Sequence, residues 1–501
     1  MANPLKQLAG ETAVYGLSTI LARIINFFLV PLYTRVLIDS DYGVVTEFMS
    51  YIAVLQVVLV LGLETGCFRY ASKDGVDRKA VFSSAFLTVT GLCLLFLGCT
   101  ALFSGGISTA LGYEGFANVI IYVAAILALD CPLAIIFAKL RHEHKALRFA
   151  IIKTLKILTE VGMNLILYLA MPARFAENPD HWLLRFVSPV PDFTYAIFAI
   201  FVSCVVCLIL LLPDILKLSF KVDGPLLKKL LLYSLPLMVA GLPGVMNDFL
   251  DRILMRFINA DPVNWRADLG VYQAGVKIAV LMQLFSQMFR YAAEPFFFQR
   301  AKEKESRRTY SEVFSWFVAF CMLGFVFIML FIDEVGLLLG KDFRTGLSIT
   351  PIMMMAYIMT GMLFNVNMWY KLADKTGYAV WITLAGLVVS AVINLIWMPV
   401  FSYHAAAWGH VASYAVMIIL TVALGRKYYP IPYEWGKVLL LIGLGLGIWE
   451  LSRFLPQMGL FWKITVHLAL TAVYAAAAFI ILRVKPKHPE NESQDSQPLT
   501  V

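Results

Sequence analysis

Long apolar segments recur along almost the whole chain, and they restrict its fold more than any other feature of the sequence. A helix rises 1.5 Å per residue, so about 20 apolar residues cross a hydrocarbon core of about 30 Å. With 60% hydrophobic and 15% charged residues among 501, the chain is unlike a soluble globular protein. We therefore predict an all-α integral membrane protein with about 14 transmembrane helices, whose segments are 12–37, 43–68, 80–104, 115–138, 148–171, 193–213, 230–256, 268–297, 310–332, 346–370, 377–399, 403–425, 434–453 and 459–482.

The distribution of lysine and arginine predicts how these segments are oriented. The N-terminus and every second loop carry 24 of these residues, whereas the opposite side of the membrane carries 8. Cytoplasmic loops are the ones enriched in Lys and Arg, so both termini are expected in the cytoplasm. The polar segment 483–501 is predicted to be a disordered cytoplasmic tail. The net charge of +8 is thus interpreted as membrane topology, and no nucleic-acid partner is predicted.

The chain also repeats itself at an offset of about 230 residues. The string NLI at 164–166 recurs at 394–396, and the same offset pairs Glu64 with Glu294. A rival alignment at a shorter offset would delete residues from a continuous helix. Because each half holds six spans, the halves share an orientation and form a parallel pseudo-two-fold repeat. The predicted units are an N-lobe, a C-lobe and two further helices, over 1–220, 221–430 and 431–482.

The first span carries a polar stripe with a cation at its centre. Within 12–37 only Arg23 and Arg35 are fully charged, and Arg23 lies near mid-membrane, where snorkelling to an interface is difficult. At helical spacing, Arg23 shares one face with Asn26 and with several tyrosine and threonine side chains. Pro31 is expected to bend the outer third of this helix. We predict that the face lines a hydrated cavity; the alternative is a structural pairing of Arg23 with a carboxylate.

The first span and its flank contain YGLS at 15–18, Arg23, PLYT at 31–34 and YG at 42–43. This set of strings resembles the start of the Wzx-type oligosaccharide flippases, and the resemblance extends over almost the whole chain. These flippases form the polysaccharide-transporter branch of the superfamily that also holds MATE drug exporters and lipid II flippases. The resemblance implies two six-helix lobes around a central cavity, with two further C-terminal helices.

The same resemblance implies a cargo and a location. The cargo is an oligosaccharide on undecaprenyl diphosphate, which is moved across the bacterial cytoplasmic (inner) membrane for cell-surface polysaccharide such as the O-antigen of lipopolysaccharide. Membrane lipids, a polysaccharide polymerase and the chain-length machinery are the implied partners. No cofactor is predicted, and a proton or sodium gradient is an open source of energy.

The glycan and the diphosphate of such a cargo need different surroundings. The glycan needs a wet chamber, because burying hydroxyls without hydrogen bonds is costly. The diphosphate needs cations, and arginine is well suited to phosphate oxygens. The predicted substrate-binding residues are the polar or cationic residues inside the spans, namely Arg23, Asn26, Lys153, Lys156, Asn247, Arg252, Lys277 and Arg290. For Lys153 and Lys156, in the first turns of the fifth span, snorkelling is an equal alternative.

Intramembrane acids are candidates for ion coupling or gating, and they are Asp130, Glu64, Glu294 and Asp251. Asp130 precedes Pro132 and is the lone deep acid of its span. Glu64 and Glu294 lie near the inner ends of the second and eighth spans, where structural pairing with nearby basic residues is the alternative.

No enzyme constellation is found in the sequence. It contains no Walker-type glycine loop, no His-Glu-x-x-His and no nucleophile elbow, and it has no long outer loop for a transferase site. We therefore predict a non-enzymatic flippase whose lobes rock between inward-open and outward-open states. The alternatives left open are a lipid II-type flippase, a cation-coupled multidrug exporter with an acid-rich cavity, and a membrane-embedded polymerase or scaffold.

Overall fold

The described part of the chain is all helical and contains no strand, which confirms the predicted fold class. The computed structural model describes residues 16, 20–300, 303, 305–456 and 459–484. Its α-helices are α1 (Leu29–Val36), α2 (Asp39–Val60), α3 (Leu63–Ala71), α4 (Arg78–Leu102), α5 (Ser104–Ala110), α6 (Ala117–His142), α7 (Ala146–Leu165), α8 (Met171–Glu177), α9 (Phe193–Ile215), α10 (Gly224–Ile258), α11 (Trp265–Arg300), α12 (Ser306–Leu330), α13 (Ile332–Gly336), α14 (Thr350–Val366), α15 (Met368–Leu372), α16 (Tyr378–Phe401), α17 (Tyr403–Tyr428), α18 (Trp435–Ser452) and α19 (Leu460–Arg483).

The chain is a multipass membrane protein. Among the described residues, 12 helical segments are long and apolar enough to cross a bilayer. Two predicted spans are not among them. Segment 12–37 lies partly outside the described residues, and α7 carries four charges, at Arg148, Lys153, Lys156 and Glu160. The count of 14 therefore stays a prediction.

Two helices are interrupted where the backbone meets a local constraint. Residues 20–27 are helical, a turn follows at Phe28, and α1 begins at Leu29, close to the predicted bend at Pro31. The second span, predicted as one helix, is divided into α2 and α3 because Leu61 and Gly62 adopt left-handed conformations, with φ of 57° and 67°. A Cβ on Gly62 would lie 2.6 Å from the carbonyl oxygen of Ser234, so the close approach of α10 also requires glycine there.

The described residues form two compact units. The first holds 20–300, 303 and 332–430, and its packing includes α4 against α6, α7 against α9, α16 against α17 and α2 against α11. The second holds α12, α18 and α19, which pack around the buried Tyr474. The Tyr474 hydroxyl donates to the carbonyl oxygens of Ala319 and Leu441, both at 3.4 Å. The division of the chain at residues 220 and 430 stays a prediction.

Two ion pairs at equivalent positions support the predicted offset of the repeat. Glu64 of α3 pairs with Arg141 of α6 at 2.9 Å, and Glu294 of α11 pairs with Lys371 of α15. Both partners of the second pair lie 230 residues after those of the first, so the sequence separation is the same 77 residues. These pairings also agree with a structural role for the two glutamates.

The crossing of α2 and α11 has the same symmetry and depends on two glycines. A Cβ on Gly43 would lie 1.8 Å from the carbonyl oxygen of Arg266, and one on Gly270 would lie 2.0 Å from that of Asp39. Each glycine therefore lets its helix contact the backbone of the other. This contact joins the two predicted lobes at the end of the bundle that holds the α5–α6 loop, which we call the predicted outer end.

We expect Gly43→Ala to lower the melting temperature of the purified protein by several degrees. The added methyl group cannot fit without separating α2 from α11. The matched control is Gly91→Ala in α4, where no atom lies within 4 Å of the added Cβ. Since alanine is the better helix former, the control should be neutral or stabilising. Equal melting temperatures for Gly43→Ala and the wild type, measured by thermal unfolding in detergent, would contradict the close contact.

Candidate functional site

A cavity of about 450 Å³ lies between helices of the predicted N-lobe and C-lobe. We call it the central cavity, and its volume is within the usual range of small-molecule sites, about 300–1,000 Å³. Its charged lining residues are Asp130, Lys156, Glu160, Asp248, Arg252 and Lys277. The three acids and three bases balance in formal charge. The site is thus mixed in sign rather than purely cationic.

On the N-lobe side, the central cavity holds an ion pair between α6 and α7. The Nζ atom of Lys156 lies 2.5 Å from Oδ1 of Asp130, and the two side chains are 16% and 25% exposed. The sequence predicts Asp130 as a lone acid, whereas the structure gives it a cationic partner. Glu160 follows one helical turn after Lys156, and both side chains line the central cavity. The charge of Lys156 is therefore compensated before any ligand arrives.

On the C-lobe side, two cations line the central cavity without an ion pair to any described residue. Lys277 of α11 lies near the cation Arg252 and the acid Glu160, and it is not within ion-pair distance of Glu160. Arg252 of α10 is 7% exposed and donates from Nη1 to the carbonyl oxygen of Asp248 at 2.6 Å. Its Nε has no partner in the described part of the chain. These two side chains can accept an anionic ligand.

The guanidinium of Arg252 is held in place by its neighbours. Its carbon atom lies 5.0 Å from the ring centroid of Phe249 and 5.9 Å from that of Tyr272. The Tyr272 ring is itself fixed, because its hydroxyl donates to Oδ2 of Asp251 at 2.5 Å. Nε2 of His410 lies 3.2 Å from the same oxygen. A rigid cation costs less ordering entropy when it binds a ligand.

Two further hydrogen bonds join α10 to α17. The Ser413 hydroxyl donates to Oδ1 of Asn247 at 2.7 Å, and the Tyr414 hydroxyl donates to Oδ1 of Asp248 at 3.0 Å. Asn247 is buried, so its hydrogen bond with Ser413 positions α10. Asp248 remains exposed to the central cavity.

The structure brings some of the predicted site residues together and separates others. Those that line the central cavity are Asn26, Lys156, Arg252, Lys277 and Asp130. Those outside its lining are Arg23, Lys153, Asn247, Arg290, Glu64, Glu294 and Asp251.

The predicted residues outside the lining have identifiable surroundings. The Lys153 ammonium lies over the ring of Phe137, 4.8 Å from its centroid. Arg290 is 57% exposed and lies 3.8 Å from Glu294 on the same helix. Arg23 is exposed, has no ion pair with a described residue, and is close enough to Lys277 to act on its charge. Arg23 thus adds positive potential near the cavity without lining it.

The predicted outer end holds a buried ion pair that the sequence interpretation missed. Glu47 of α2 is 0% exposed, and its Oε1 accepts from Nη1 of Arg256 of α10 at 2.6 Å. The hydroxyls of Tyr51 and Tyr113 also donate to Glu47, the first at 2.8 Å. We call these four residues the outer latch. The available signal was a carboxylate inside an apolar span, which is costly to bury in lipid without a partner.

The outer latch is accompanied by two further contacts between the predicted lobes. The backbone N–H of Gly340 donates to Oγ1 of Thr34 at 3.1 Å, and Nη2 of Arg35 donates to the carbonyl oxygen of Leu337 at 3.1 Å. Together with the α2–α11 crossing, these contacts hold the lobes together at the predicted outer end. A passage from the central cavity to that side requires them to break.

Comparison with known proteins agrees with this architecture. The family model described as "Polysaccharide biosynthesis protein" matches residues 8–299. The lipid II flippase MurJ in an inward closed conformation is similar with a TM-score of 0.69 and 11% identity, over 93% of this chain and 98% of that one. An inward-facing multidrug resistance MATE family transporter of the MOP superfamily is similar with a TM-score of 0.60 and 15% identity, over 83% and 94%.

A further similar structure is a MOP superfamily transporter from Pyrococcus furiosus whose binding pocket has reversed polarity, with a TM-score of 0.53 and 14% identity over 84% and 94%. At these identities the likeness establishes the fold. Comparison with curated proteins gives no significant match.

Proposed function

The chain belongs to the polysaccharide biosynthesis protein family, and we propose that it is a flippase for oligosaccharides linked to undecaprenyl diphosphate. The observation that carries the proposal is the pair of cations, Arg252 and Lys277, that line the central cavity without ion-pair partners among the described residues. A diphosphate supplies the oxygens that both need. The fold, shared with a lipid II flippase, is compatible with moving a lipid-linked headgroup.

Each part of the cargo has matching surroundings in this proposal. Arg252 and Lys277 bind the diphosphate through charge-assisted hydrogen bonds. The glycan occupies the rest of the central cavity, where Tyr33 and Tyr42 offer rings and Gln56 and Gln273 offer amides. The apolar tail stays in the bilayer. Arg23, beside Lys277, attracts the anionic headgroup toward the site.

We also propose where the protein acts in the cell. The protein lies in the bacterial inner membrane with both termini in the cytoplasm, and its cargo serves lipopolysaccharide O-antigen or a related surface polysaccharide. A polymerase and chain-length proteins act on the delivered units. Asp130, Glu160 and Asp248 are the cavity acids available to couple transport to a proton or sodium gradient.

A cation-coupled multidrug exporter is the second candidate function. The observation that favours it is the presence of three carboxylates among the six charged lining residues, together with the likeness to a multidrug transporter. In that case Glu160 and Asp248 would attract a cationic drug. The flippase would bind an anionic ligand, whereas the exporter would bind a cationic one.

Proteoliposomes with the purified protein test the proposal. We expect undecaprenyl-diphosphate-linked oligosaccharide, loaded in both leaflets, to become fully accessible to an impermeant glycosidase only in vesicles that contain the protein. The control cargo is the same oligosaccharide on a neutral lipid, which cannot engage Arg252 and Lys277 and should flip slowly. Equal flipping of both cargoes, or proton-driven efflux of ethidium without flipping, would overturn the proposal in favour of the alternatives.

A further inference from the structure

A second cavity, of about 310 Å³, lies at the predicted outer end and is separate from the central cavity. We call it the outer pocket. It is lined by the first turn of α2, the loop between α5 and α6, the start of α9 and the start of α11. It therefore lies between the predicted lobes, beside the outer latch. The lining residues that carry its chemistry are Asp41, Tyr113, Glu114, Phe116, Phe193 and Arg266.

Aromatic rings form the apolar part of the outer pocket. The ring centroids of Phe116 and Phe193 lie 4.9 Å apart, and those of Tyr113 and Phe193 lie 6.2 Å apart. Tyr113 and Phe193 are each 5% exposed, so the partly exposed Phe116 supplies most of the accessible apolar surface, with polar groups at its border. The C–H face of a pyranose ring packs against surfaces of this kind.

Two carboxylates in the outer pocket have no ion pair with any described residue. Asp41 lies in the first turn of α2, where the helix dipole favours an acid, and its carboxylate has no hydrogen-bond partner in the described part of the chain. Glu114 is exposed and lies between Gly112 and Gly115, whose φ values are 60° and 84°. Ionised carboxylates accept hydrogen bonds from up to four directions, so both suit vicinal hydroxyls.

The one guanidinium of the described lining is fixed rather than free. Arg266 donates from Nη2 to the carbonyl oxygen of Gly112 at 3.1 Å. Its guanidinium lies 4.7 Å from the ring centroid of Tyr113 and 4.9 Å from that of Trp265. Its buried Nε has no hydrogen-bond partner among the described residues. Arg266 thus offers a donor in a set position, while two acids disfavour an anionic ligand.

The loop that carries Tyr113 and Glu114 is held by its own hydrogen bonds. The backbone N–H of Tyr113 donates to the carbonyl oxygen of Ser108 at 2.8 Å, and that of Phe116 donates to the carbonyl oxygen of Tyr113 at 3.0 Å. The Ser108 hydroxyl donates to the same Tyr113 oxygen. The outer pocket is therefore preorganised, which lowers the entropic cost of binding a small ligand.

From free carboxylate acceptors, a fixed guanidinium and aromatic faces in one small cavity, we propose that the outer pocket binds a neutral pyranose unit. This inference rests on the proposed function, since the unit would belong to the glycan as it leaves the central cavity. Tyr113 connects the outer pocket to the outer latch, because its hydroxyl donates to Glu47 of the outer latch while its ring lines the outer pocket. Sugar binding there would thus act on the latch directly.

Saturation-transfer NMR on the full-length protein in nanodiscs tests the proposal. The probes are the methyl glycosides of glucose, galactose, mannose and N-acetylglucosamine. We expect saturable binding of at least one of them, weakened about tenfold or more in Glu114→Gln and in Asp41→Asn, since each loses a hydrogen bond to a charged acceptor. The matched control is Asp180→Asn, an exposed acid outside the outer pocket, which should bind like the wild type.

Three results would overturn the assignment: no saturable binding of any probe, equal affinity in all variants, or binding abolished by Lys277→Ala but kept in Glu114→Gln. The last would place the sugar in the central cavity. Failure here is distinguishable from failure of the proposed function. A protein that flips the lipid-linked oligosaccharide but binds none of the probes loses only the outer pocket, whereas one that binds sugars without flipping loses the proposed function.

Discussion

Replacing Lys277 with alanine is expected to slow flipping of the diphosphate-linked cargo strongly while leaving the protein folded and inserted. The Lys277 ammonium lines the central cavity and forms no ion pair with a described residue, so its removal breaks no ion pair there. Losing charge-assisted hydrogen bonds to the diphosphate should lower the flipping rate at least about tenfold. The measurement is the rate at which glycosidase-accessible cargo appears in proteoliposomes, normalised to the amount of inserted protein.

Two further variants make this expectation specific. Lys277→Arg keeps the positive charge and should retain part of the activity, although the guanidinium has a different shape. Lys228→Ala removes an exposed lysine from the first turns of α10, away from the central cavity, and should flip like the wild type. Unchanged flipping in a well-inserted Lys277→Ala protein would remove Lys277 from the cargo site.

Arg23 provides a graded comparison with Lys277. It is exposed, it lies outside the cavity lining, and it acts on Lys277 only through its charge. We expect Arg23→Ala to slow flipping less than Lys277→Ala does, with the difference shrinking at high salt, where long-range attraction is screened. A complete loss in Arg23→Ala at both low and high salt, measured in the same proteoliposomes, would instead indicate direct contact with the cargo.

Local sequence features were sufficient for the fold class but not for helix continuity. Apolar length predicts a helix over 43–68, because a backbone in lipid must satisfy its own hydrogen bonds. At the break at Leu61 and Gly62, the backbone of Ser234 approaches within contact distance of Gly62. A neighbour that is 172 residues away in the chain leaves no periodic signal in the span itself.

In the candidate site, likewise, the sequence shows which residues are charged but not which of them form pairs. Asp130 and Lys156 are both evident as intramembrane charges, yet only the packing of α6 on α7 decides that they neutralise each other. Glu47 is evident as a carboxylate inside an apolar span, whereas Arg256 was assigned to the outer side of the membrane by the charge count. Their pairing, across 209 residues, depends on the crossing of the predicted lobes.

The outer latch should control access to the predicted outer side. Glu47→Gln leaves Arg256, which is 12% exposed, without a carboxylate partner, and breaking a buried pair in this way costs about 3–5 kcal/mol. A bias of about 5.5 kcal/mol moves an equilibrium from 1:99 to 99:1. We therefore expect Glu47→Gln to populate an outward-open state substantially. Flipping should slow, because the return to the state closed at the outer end no longer gains the Glu47–Arg256 ion pair.

The opening can be measured by thiol labelling. In a background without the seven native cysteines, Val45→Cys places a probe in the lining of the central cavity at a position that is 6% exposed. An impermeant maleimide added from the outer side should label it slowly in the wild type and rapidly with Glu47→Gln. The control is Glu177→Gln, an exposed acid of α8 outside both cavities, which should not change the labelling rate.

A double variant separates loss of the latch from general loosening of the bundle. Glu47→Gln with Arg256→Gln removes the unpaired cation, so the closed state is no longer penalised by a buried uncompensated charge. If the two residues act as a pair, the double variant should label more slowly than Glu47→Gln alone, which is a coupling that independent sites do not show. Additive or faster labelling in the double variant would mean that the predicted outer end is held by other contacts, with the Gly43–Gly270 crossing as the remaining candidate.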